Sequence, residues 1–386
     1  MRLPFRTIIF WCHLATGLVA GSVVALMSVT GVLLMYEQQI VEWADRDLRT
    51  VQPSSAARLS VERLLAEVLA ARPGATPSSV TLQSDPAAAA VVSLGREQSL
   101  YVDPSTGRVI GEGSRKIRGA FQSITAWHRW LGASGEKREA ARAITGACNL
   151  AFLFLIVSGF YLWVPRMWTR RQVRNVTWFR GGLSGKARDF NWHNTIGFWV
   201  CVPLFIVVLS AVSISYPSRR PEGPGRPDSG PRGGESRENV IDLDGLDELW
   251  AQAEQRVADW KSISLRLPPA PDAPVTFTLL RGGRGRPDLR AQLTLDRATG
   301  EVVTWQPYAS QSFDRKVRAW MRWLHTGEAG GWAGQTIAGI ASAGAAVLAW
   351  TGLALSWRRF FSRKKTTEER SLGAPADRSK ISEGAV

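Results

Sequence analysis

Four long apolar segments constrain the fold of this chain more than any other feature of its sequence. None of them contains Lys, Arg, Asp or Glu. They cover residues 7–36, 143–164, 196–216 and 331–357. Because about 20 apolar residues in a helix cross the hydrocarbon core of a bilayer, each segment can span a membrane. The sequence therefore predicts a mainly α-helical membrane protein with a four-helix transmembrane bundle, whose third helix covers residues 190–216.

Basic residues beside these segments predict how the bundle lies in the membrane. They precede the first segment, fill the loop 165–189 between the second and third, and begin the tail 358–386 after the fourth. They are Arg2, Arg6, Arg166, Arg170, Arg171, Arg174, Arg180, Lys186, Arg188, Arg358, Arg359, Arg363, Lys364 and Lys365. By the positive-inside rule both termini are predicted to be cytoplasmic, and residues 37–142 and 217–330 to face outward.

Composition excludes several other classes of protein. The net charge of +15 is explained by the anchoring residues around the spans, which do not form one basic face for nucleic acid. Cys12, Cys148 and Cys201 lie in or beside spans, so the outward segments have no disulfide framework. No G-x-G-x-x-G motif follows a predicted strand, so no module for a nicotinamide or flavin cofactor is expected.

The sequence also repeats itself. The interval from His13 to Tyr36 equals the interval from His193 to Tyr216, and "YVDPSTGRVIG" resembles the later "TLDRATGEVVT". The second and fourth spans each contain two glycines with the same interval between them: Gly146 and Gly159, and Gly339 and Gly352. A glycine also follows each of the two histidines one helical turn later: Gly17 and Gly197. We interpret the chain as an internal duplication whose halves enter the membrane in the same direction.

Each half is predicted to contain a small outward α+β domain, at residues 37–118 and 239–310. Amphipathic patterns predict helices over 60–71 and 246–260, and alternating patterns predict two strands in the first domain and three in the second. The Pro-, Gly- and charge-rich stretch 217–238 is predicted to be a flexible linker. Two Trp-rich segments are expected to form amphipathic helices at the outward membrane surface: 119–132 and 311–327.

The four histidines of the chain fall into two pairs by depth. His13 and His193 lie near the cytoplasmic ends of the first and third spans, and His128 and His325 come just before the second and fourth. Such pairs on the helices of a bundle supply the two axial imidazoles of a low-spin haem without covalent attachment. We therefore predict two b-type haems, one ligated by His13 and His193 and the other by His128 and His325.

Other interpretations of these residues stay open. A polar residue near the end of a span often only bonds a neighbouring carbonyl, and a bare zinc or copper site gathers three or four ligands. Gly17 and Gly197 can make room for a flat macrocycle or serve helix packing. Arg129 and Arg322 can pair with haem propionates or lipid phosphates. Met321 can be an axial thioether or an ordinary packing residue.

The two Trp-rich segments differ in where the histidine stands. "AWHRWLG" at 126–132 and "AWMRWLH" at 319–325 agree at five of seven positions, but the histidine moves from the third to the seventh. Since four residues make about one helical turn, positions 128 and 132 are predicted to share a helix face, as are 321 and 325. On this hypothesis two nearly symmetric helices reach one iron at different heights.

Motif order and topology give the chain a resemblance to a known family. "WHRWLG", "SGFYLWVPR", "LHTGEAGGWAGQ" and "TGLALSW", with α+β domains ending in "DPSTG" and "DRATG", resemble the PepSY-associated transmembrane proteins over about residues 5–360. These are iron-regulated inner-membrane proteins of Gram-negative bacteria, and the chain looks most similar to the ferrioxamine-type ferric-siderophore reductases among them. The resemblance implies two haems b on the four histidines and reduction of a ferric siderophore in the periplasm, with release of Fe(II).

The electron donor and two other functions stay open at this point. Electrons are expected from a cytoplasmic reductase or a membrane quinol, because no nicotinamide or flavin module is evident. A non-redox role in assembly or peptidase inhibition is the main alternative, since PepSY domains are also associated with peptidase inhibition. A siderophore transporter is the third, disfavoured because the spans lack internal acidic residues and matched Pro or Gly breaks. Membrane lipid is an expected partner, and nucleic acid is not.

Overall fold

The computed structural model describes residues 4–52, 56–95, 98–165, 168–216, 242–268, 270 and 273–361. The predicted linker 217–238 and residues 362–386 of the predicted tail lie outside these ranges. The described α-helices are α1 Phe5–Leu34, α2 Glu37–Ala44, α3 Val61–Ala71, α4 Arg115–Trp130, α5 Lys137–Trp163, α6 Arg170–Thr177, α7 Gly185–Ser215, α8 Leu246–Arg256, α9 Phe313–His325 and α10 Gly331–Phe361. The described strands are β1 Ser79–Gln83, β2 Ala90–Leu94, β3 Gln98–Val102, β4 Val109–Glu112, β5 Ser262–Arg266, β6 Val275–Leu280, β7 Arg290–Leu295 and β8 Val302–Pro307.

Four of the described helices are long and apolar enough to cross a membrane, which confirms the predicted spans. They are α1, α5, α7 and α10, with 30, 27, 31 and 31 residues. A helix of 31 residues is about 46 Å long, so α7 and α10 extend beyond a hydrocarbon core of about 30 Å. α7 begins at Gly185, inside the loop predicted at 165–189, and the same loop contains the unpredicted helix α6.

The four spans form a closed bundle in which α1 and α7 lie on a diagonal. α1 packs against α5 and α10, and α7 packs against the same two helices. Small residues allow a close approach, because a Cβ on Gly344 of α10 would lie 2.8 Å from Cγ1 of Val200 on α7. We call the end of the bundle where α1 begins and α10 finishes the terminal end. The opposite end, where α1 leads towards the strands, is called the sheet end.

The segments that follow α1 and α7 build one continuous antiparallel sheet. Its strand order is β4-β3-β2-β1-β5-β6-β7-β8, and β1 pairs with β5 so that Val80 stands opposite Leu265. Leu65 of α3 and Leu249 of α8 pack in one apolar core with Val80, Leu265 and Phe277. The predicted α+β character is confirmed, but the two segments share one sheet and one core.

Several element boundaries differ from the predictions. The first segment has β1 and β4 besides its two predicted strands, and the second has β8 besides its three. The helix predicted over 246–260 ends at Arg256, and α2, directly after α1, was not predicted. α3 begins as predicted, because the hydroxyl of Ser60 accepts a hydrogen bond from the backbone N–H of Arg63.

α4 and α9 join the sheet to the spans and carry His128 and His325. α4 packs against α1 and α5, and α9 packs against α7. α4 ends at Trp130, after which Leu131 and Gly132 adopt positive φ angles of 52° and 76°. The hypothesis that positions 128 and 132 share a helix face is therefore wrong, because the left-handed cap puts Gly132 outside the helix. His325, by contrast, is the last residue of α9.

A buried carboxylate fixes α4 against the sheet. Asp45 is fully buried and accepts hydrogen bonds from the hydroxyl of Tyr101 at 3.0 Å and from the backbone N–H of Ser114 at 2.8 Å. The Arg118 guanidinium on α4 forms an ion pair with the same carboxylate. Burial, followed by the charge of Asp45, raises the pKa of Tyr101, so its phenol stays a donor. The position of α4 therefore depends on this cluster.

Candidate functional site

The fold brings the four histidines together in two pairs, each with one member associated with α1 and one with α7. His13 on α1 and His193 on α7 lie towards the terminal end and are close enough to interact electrostatically. His128 on α4 contacts α1, and His325 on α9 contacts α7, towards the sheet end. We call them the inner pair and the outer pair.

The outer pair has a separation that suits one metal ion between two imidazoles. The ring centres of His128 and His325 are 6.2 Å apart, and the ring planes are inclined by 48°. With metal–nitrogen bonds of about 2 Å and each ring centre about 1 Å behind its nitrogen, two imidazoles on opposite sides of one ion have centres about 6 Å apart. The distance therefore fits bis-imidazole ligation of a single iron.

Hydrogen bonds fix the tautomer of the inner pair. The Nδ1 atom of His13 lies 2.8 Å from Oγ of Ser158, and that of His193 lies 2.9 Å from Oγ1 of Thr351. Each hydroxyl donates its own hydrogen to the carbonyl oxygen one turn earlier in its helix, so it must accept from the imidazole. Both rings therefore carry hydrogen on Nδ1, which leaves the lone pair of Nε2 for a metal.

The outer pair is fixed in the same tautomer. The Nδ1 atom of His128 lies 2.9 Å from Oγ1 of Thr30, whose hydroxyl donates to a carbonyl of its own helix α1. The Nδ1 atom of His325 lies 3.0 Å from the carbonyl oxygen of Val207 on α7, which can only accept. All four imidazoles thus direct Nδ1–H to the protein, so in each neutral ring the lone pair is on Nε2.

Both outer imidazoles are neutral as well as oriented. Burial, followed by the charge of His325, lowers the pKa of His128 to about 4. Burial also lowers the pKa of His325. At neutral pH these rings therefore carry no proton on Nε2 that would compete with a metal.

Glycines next to the imidazoles keep space for the rings. A Cβ on Gly159 would lie 3.2 Å from Cε1 of His13, and one on Gly352 would lie 3.4 Å from Cε1 of His193. The two glycines that face the inner imidazoles thus belong to α5 and α10, and Gly31 on α1 faces His128, with a built Cβ 3.5 Å from its Cε1. The sequence pattern marked Gly159 and Gly352 only as part of the repeat. A second feature of the sequence could have identified them: a residue with a hydroxyl group directly precedes each glycine, in Ser158-Gly159 and Thr351-Gly352.

The glycines predicted to make room for the macrocycle, Gly17 and Gly197, have leucine side chains and not histidine rings as their nearest neighbours. Near Gly17 the first heavy atom outside the local helix belongs to Leu155, at 3.8 Å from a built Cβ. Near Gly197 it belongs to Leu348, at 3.7 Å. These distances are ordinary van der Waals contacts, so a methyl group would fit at either position. The prediction for Gly17 and Gly197 therefore stays a prediction.

A cavity of about 780 Å³ extends from the outer pair towards the sheet. It enters between all four spans, where Gly31, Asn149 and Ser342 line it, and it reaches Ser99 and Tyr101 on β3. This volume is within the range of about 300–1,000 Å³ that is typical of ligand and cofactor pockets. The residues present therefore fit a flat, largely apolar group at the outer pair.

Of the three further residues predicted near the outer pair, the two arginines line the cavity and the methionine does not. Arg129 and Arg322 both line the cavity. Arg129 also stacks on Trp130, with its guanidinium carbon 4.9 Å from the ring centre. Met321 lies on α9 one turn before His325 and is not among the described residues that line this cavity.

A zinc or copper site without a porphyrin would need a cluster of ligating side chains, and the described residues contain none. No group of three or more His, Cys, Asp or Glu side chains converges there on a possible metal position. Zinc and copper sites use three or four such ligands, whereas an iron porphyrin supplies four nitrogens itself and needs two. Paired imidazoles suit the second chemistry.

The fold and the site together define a membrane protein with a four-helix bundle, a sheet on one end and paired imidazoles in its interior. The chain belongs to the family of PepSY-associated TM regions, whose family description matches residues 10–359. The family resemblance seen in the sequence is thereby confirmed. Curated proteins show no significant match to this chain.

Proposed function

We propose that this chain is a di-haem b membrane reductase that carries electrons across the membrane and reduces a ferric siderophore, with release of Fe(II). His13 and His193 hold one haem in this proposal, and His128 and His325 hold the other. The hydrogen bonds of the four imidazoles carry the proposal, since each Nδ1–H is directed to a protein acceptor and the neutral ring then offers the Nε2 lone pair to a metal.

A haem bound at each pair supplies reversible one-electron exchange between Fe(III) and Fe(II). The chain itself orients these imidazoles through Ser158, Thr30 and Thr351. One electron converts siderophore Fe(III), held by hard oxygen ligands, to Fe(II), which such ligands hold less tightly. No acid or base residue of the chain is needed for this step.

The proposal includes an orientation in a bacterial inner membrane. Arg6, Arg358 and the arginines of α6 lie at the terminal end, which by the positive-inside rule is cytoplasmic. The sheet then lies in the periplasm. A quinol or a cytoplasmic reductase donates electrons near the inner pair, and the siderophore is reduced near the outer pair.

We also propose that the two halves arose by duplication and that each contributes a PepSY-like half of the sheet. The support is the repeated order of elements, span, α+β segment, short helix and span. Within the family, the motifs quoted above favour a ferrioxamine-type reductase.

An absorption spectrum of the dithionite-reduced protein, with a pyridine haemochrome count, tests the function. We expect two haems b per chain. Replacing His13 or His193 by Ala should remove one haem, and replacing His128 or His325 should remove the other. A colourless protein after expression with adequate haem would refute the proposal and favour the non-redox role. Loss of both haems from each single change would refute the pairing.

A further inference from the structure

Three of the six arginines among the described residues that line the outer cavity have a carboxylate partner. Arg49 lies 3.6 Å from Glu42, and Arg284 lies 2.7 Å from Glu328. Arg118 is paired with the buried Asp45, as described above. These arginines are neutralised within the protein.

Two other arginines at the cavity are different. Arg142 on α5 and Arg322 on α9 line the cavity, and neither takes part in any ion pair between described residues. Glu37 interacts electrostatically with Arg284 and Arg322, but within the described ranges it forms an ion pair with neither. The described residues that line the cavity include six arginines and three glutamates, so positive charge is in excess even with Glu37 counted.

A third cation lies near Arg322, although it is not among the described residues that line the cavity. Arg290, at the start of β7, is close enough to Arg322 that burial and then the charge of Arg322 lower the pKa of Arg290. Two guanidinium groups kept near each other repel, which costs stability unless an anion joins them. A cleft lined by an excess of one sign of charge attracts ligands of the opposite sign.

We propose that Arg142 and Arg322 form a two-carboxylate site at the cavity rim, occupied by the propionates of the haem held by His128 and His325. This assignment rests on the proposed function. Haem carries two propionates, and the planar guanidinium binds carboxylates through two parallel hydrogen bonds. Arg142 takes the place of Arg129 in this role. Arg129 directly follows His128 on α4, so it points away from the face that carries the imidazole, and it stacks on Trp130. Arg322 is three residues before His325 and shares its helix face. The propionate edge of the outer haem then faces the sheet.

Paired variants with matched controls test the site. We compare Arg142→Gln, Arg322→Gln and the double variant with Arg138→Gln and Arg318→Gln, one turn earlier on the same helices. Arg138 stacks on Trp130, Arg318 is paired with Asp314 on the surface, and neither is among the described residues that line the cavity. The readout is a redox titration of the full protein that resolves both haems by absorbance, together with the haem-to-protein ratio.

Loss of a cation near the propionates favours Fe(III), because the ferric haem has one more positive charge than the ferrous haem. The double variant should lower the Fe(II)/Fe(III) ratio of the outer haem about tenfold at fixed potential, which is about 59 mV for one electron. The inner haem should keep its potential, and Lys at both positions should restore most of the shift. Unchanged potentials in the double variant, or equal shifts in the control variants, would overturn the assignment.

A ferric chelate with carboxylates offers the same chemistry from another source. Binding of gallium(III) citrate, which is not reduced, is therefore measured by calorimetry in the same variants. Lower affinity for this probe with unchanged haem potentials would overturn the propionate assignment. It would show that the two arginines bind an anionic substrate. If the wild-type protein holds no haem, the proposed function itself fails, and the two failures are thus distinguishable.

Discussion

Replacing Thr351 by Val tests whether the hydroxyl beside His193 supports the haem that we propose at the inner pair. Thr351 is fully buried on α10, and its Oγ1 lies 2.9 Å from Nδ1 of His193 while it donates to the carbonyl of Val347 at 2.8 Å. Val keeps the branched shape but removes the acceptor. The imidazole then has a buried Nδ1–H without a partner and loses the bond that keeps Nε2 free.

The change has two separate costs, one to the stability of the fold and one to the affinity for the metal. An unsatisfied buried donor costs about 1–3 kcal/mol. Loss of a hydrogen bond that orients a metal-bound histidine lowers affinity by about 10- to 100-fold, which is about 1.4–2.7 kcal/mol. We therefore expect Thr351→Val to release the inner haem about 10- to 100-fold more readily and to leave the outer haem in place.

The assay is transfer of haem from the purified protein to an excess of apo-myoglobin, followed by absorbance. Thr351→Ser is the matched control, because it keeps a hydroxyl at the same place and should release haem almost like the wild type. Equal haem retention in Thr351→Val and the wild type would refute the tautomer argument. Equal loss of both haems would show that the change acts on the bundle and not on the ligand.

Three further changes test other parts of the structure. Gly159→Ala puts a methyl 3.2 Å from Cε1 of His13 and should weaken retention of the inner haem, seen as a lower haem-to-protein ratio with the outer haem kept. Asp45→Asn leaves Arg118 on α4 without its buried charge partner, which costs about 3–5 kcal/mol, so the denaturation midpoint should fall and the outer haem should be lost first. Val80→Asp puts a carboxylate in the shared apolar core, and limited proteolysis should cut both outward segments together, whereas cleavage of the first alone would contradict one cooperative sheet.

Local pattern was sufficient for much of the architecture. Hydropathy and charge predict the four spans, and amphipathic periodicity predicts α3. The short helices α2 and α6 were missed because eight residues give too little periodicity to separate a helix from a loop. The predicted continuation of α4 to Gly132 was wrong because Leu131 adopts a left-handed backbone conformation that ends the helix. The similarity to residues 319–325, which are helical throughout, gave no indication of this end.

Residue patterns along the chain are enough to establish a membrane protein of four spans whose four histidines lie at two depths. That the two outward segments share one sheet emerges only in three dimensions, since β1 and β5 pair although the spans α5 and α7 lie between them in the chain. The same holds for the groups that orient the imidazoles: Ser158, Thr30, Thr351 and the carbonyl of Val207. Hydropathy belongs to each segment alone, whereas a hydrogen bond between two helices depends on their relative rotation and height in the bundle.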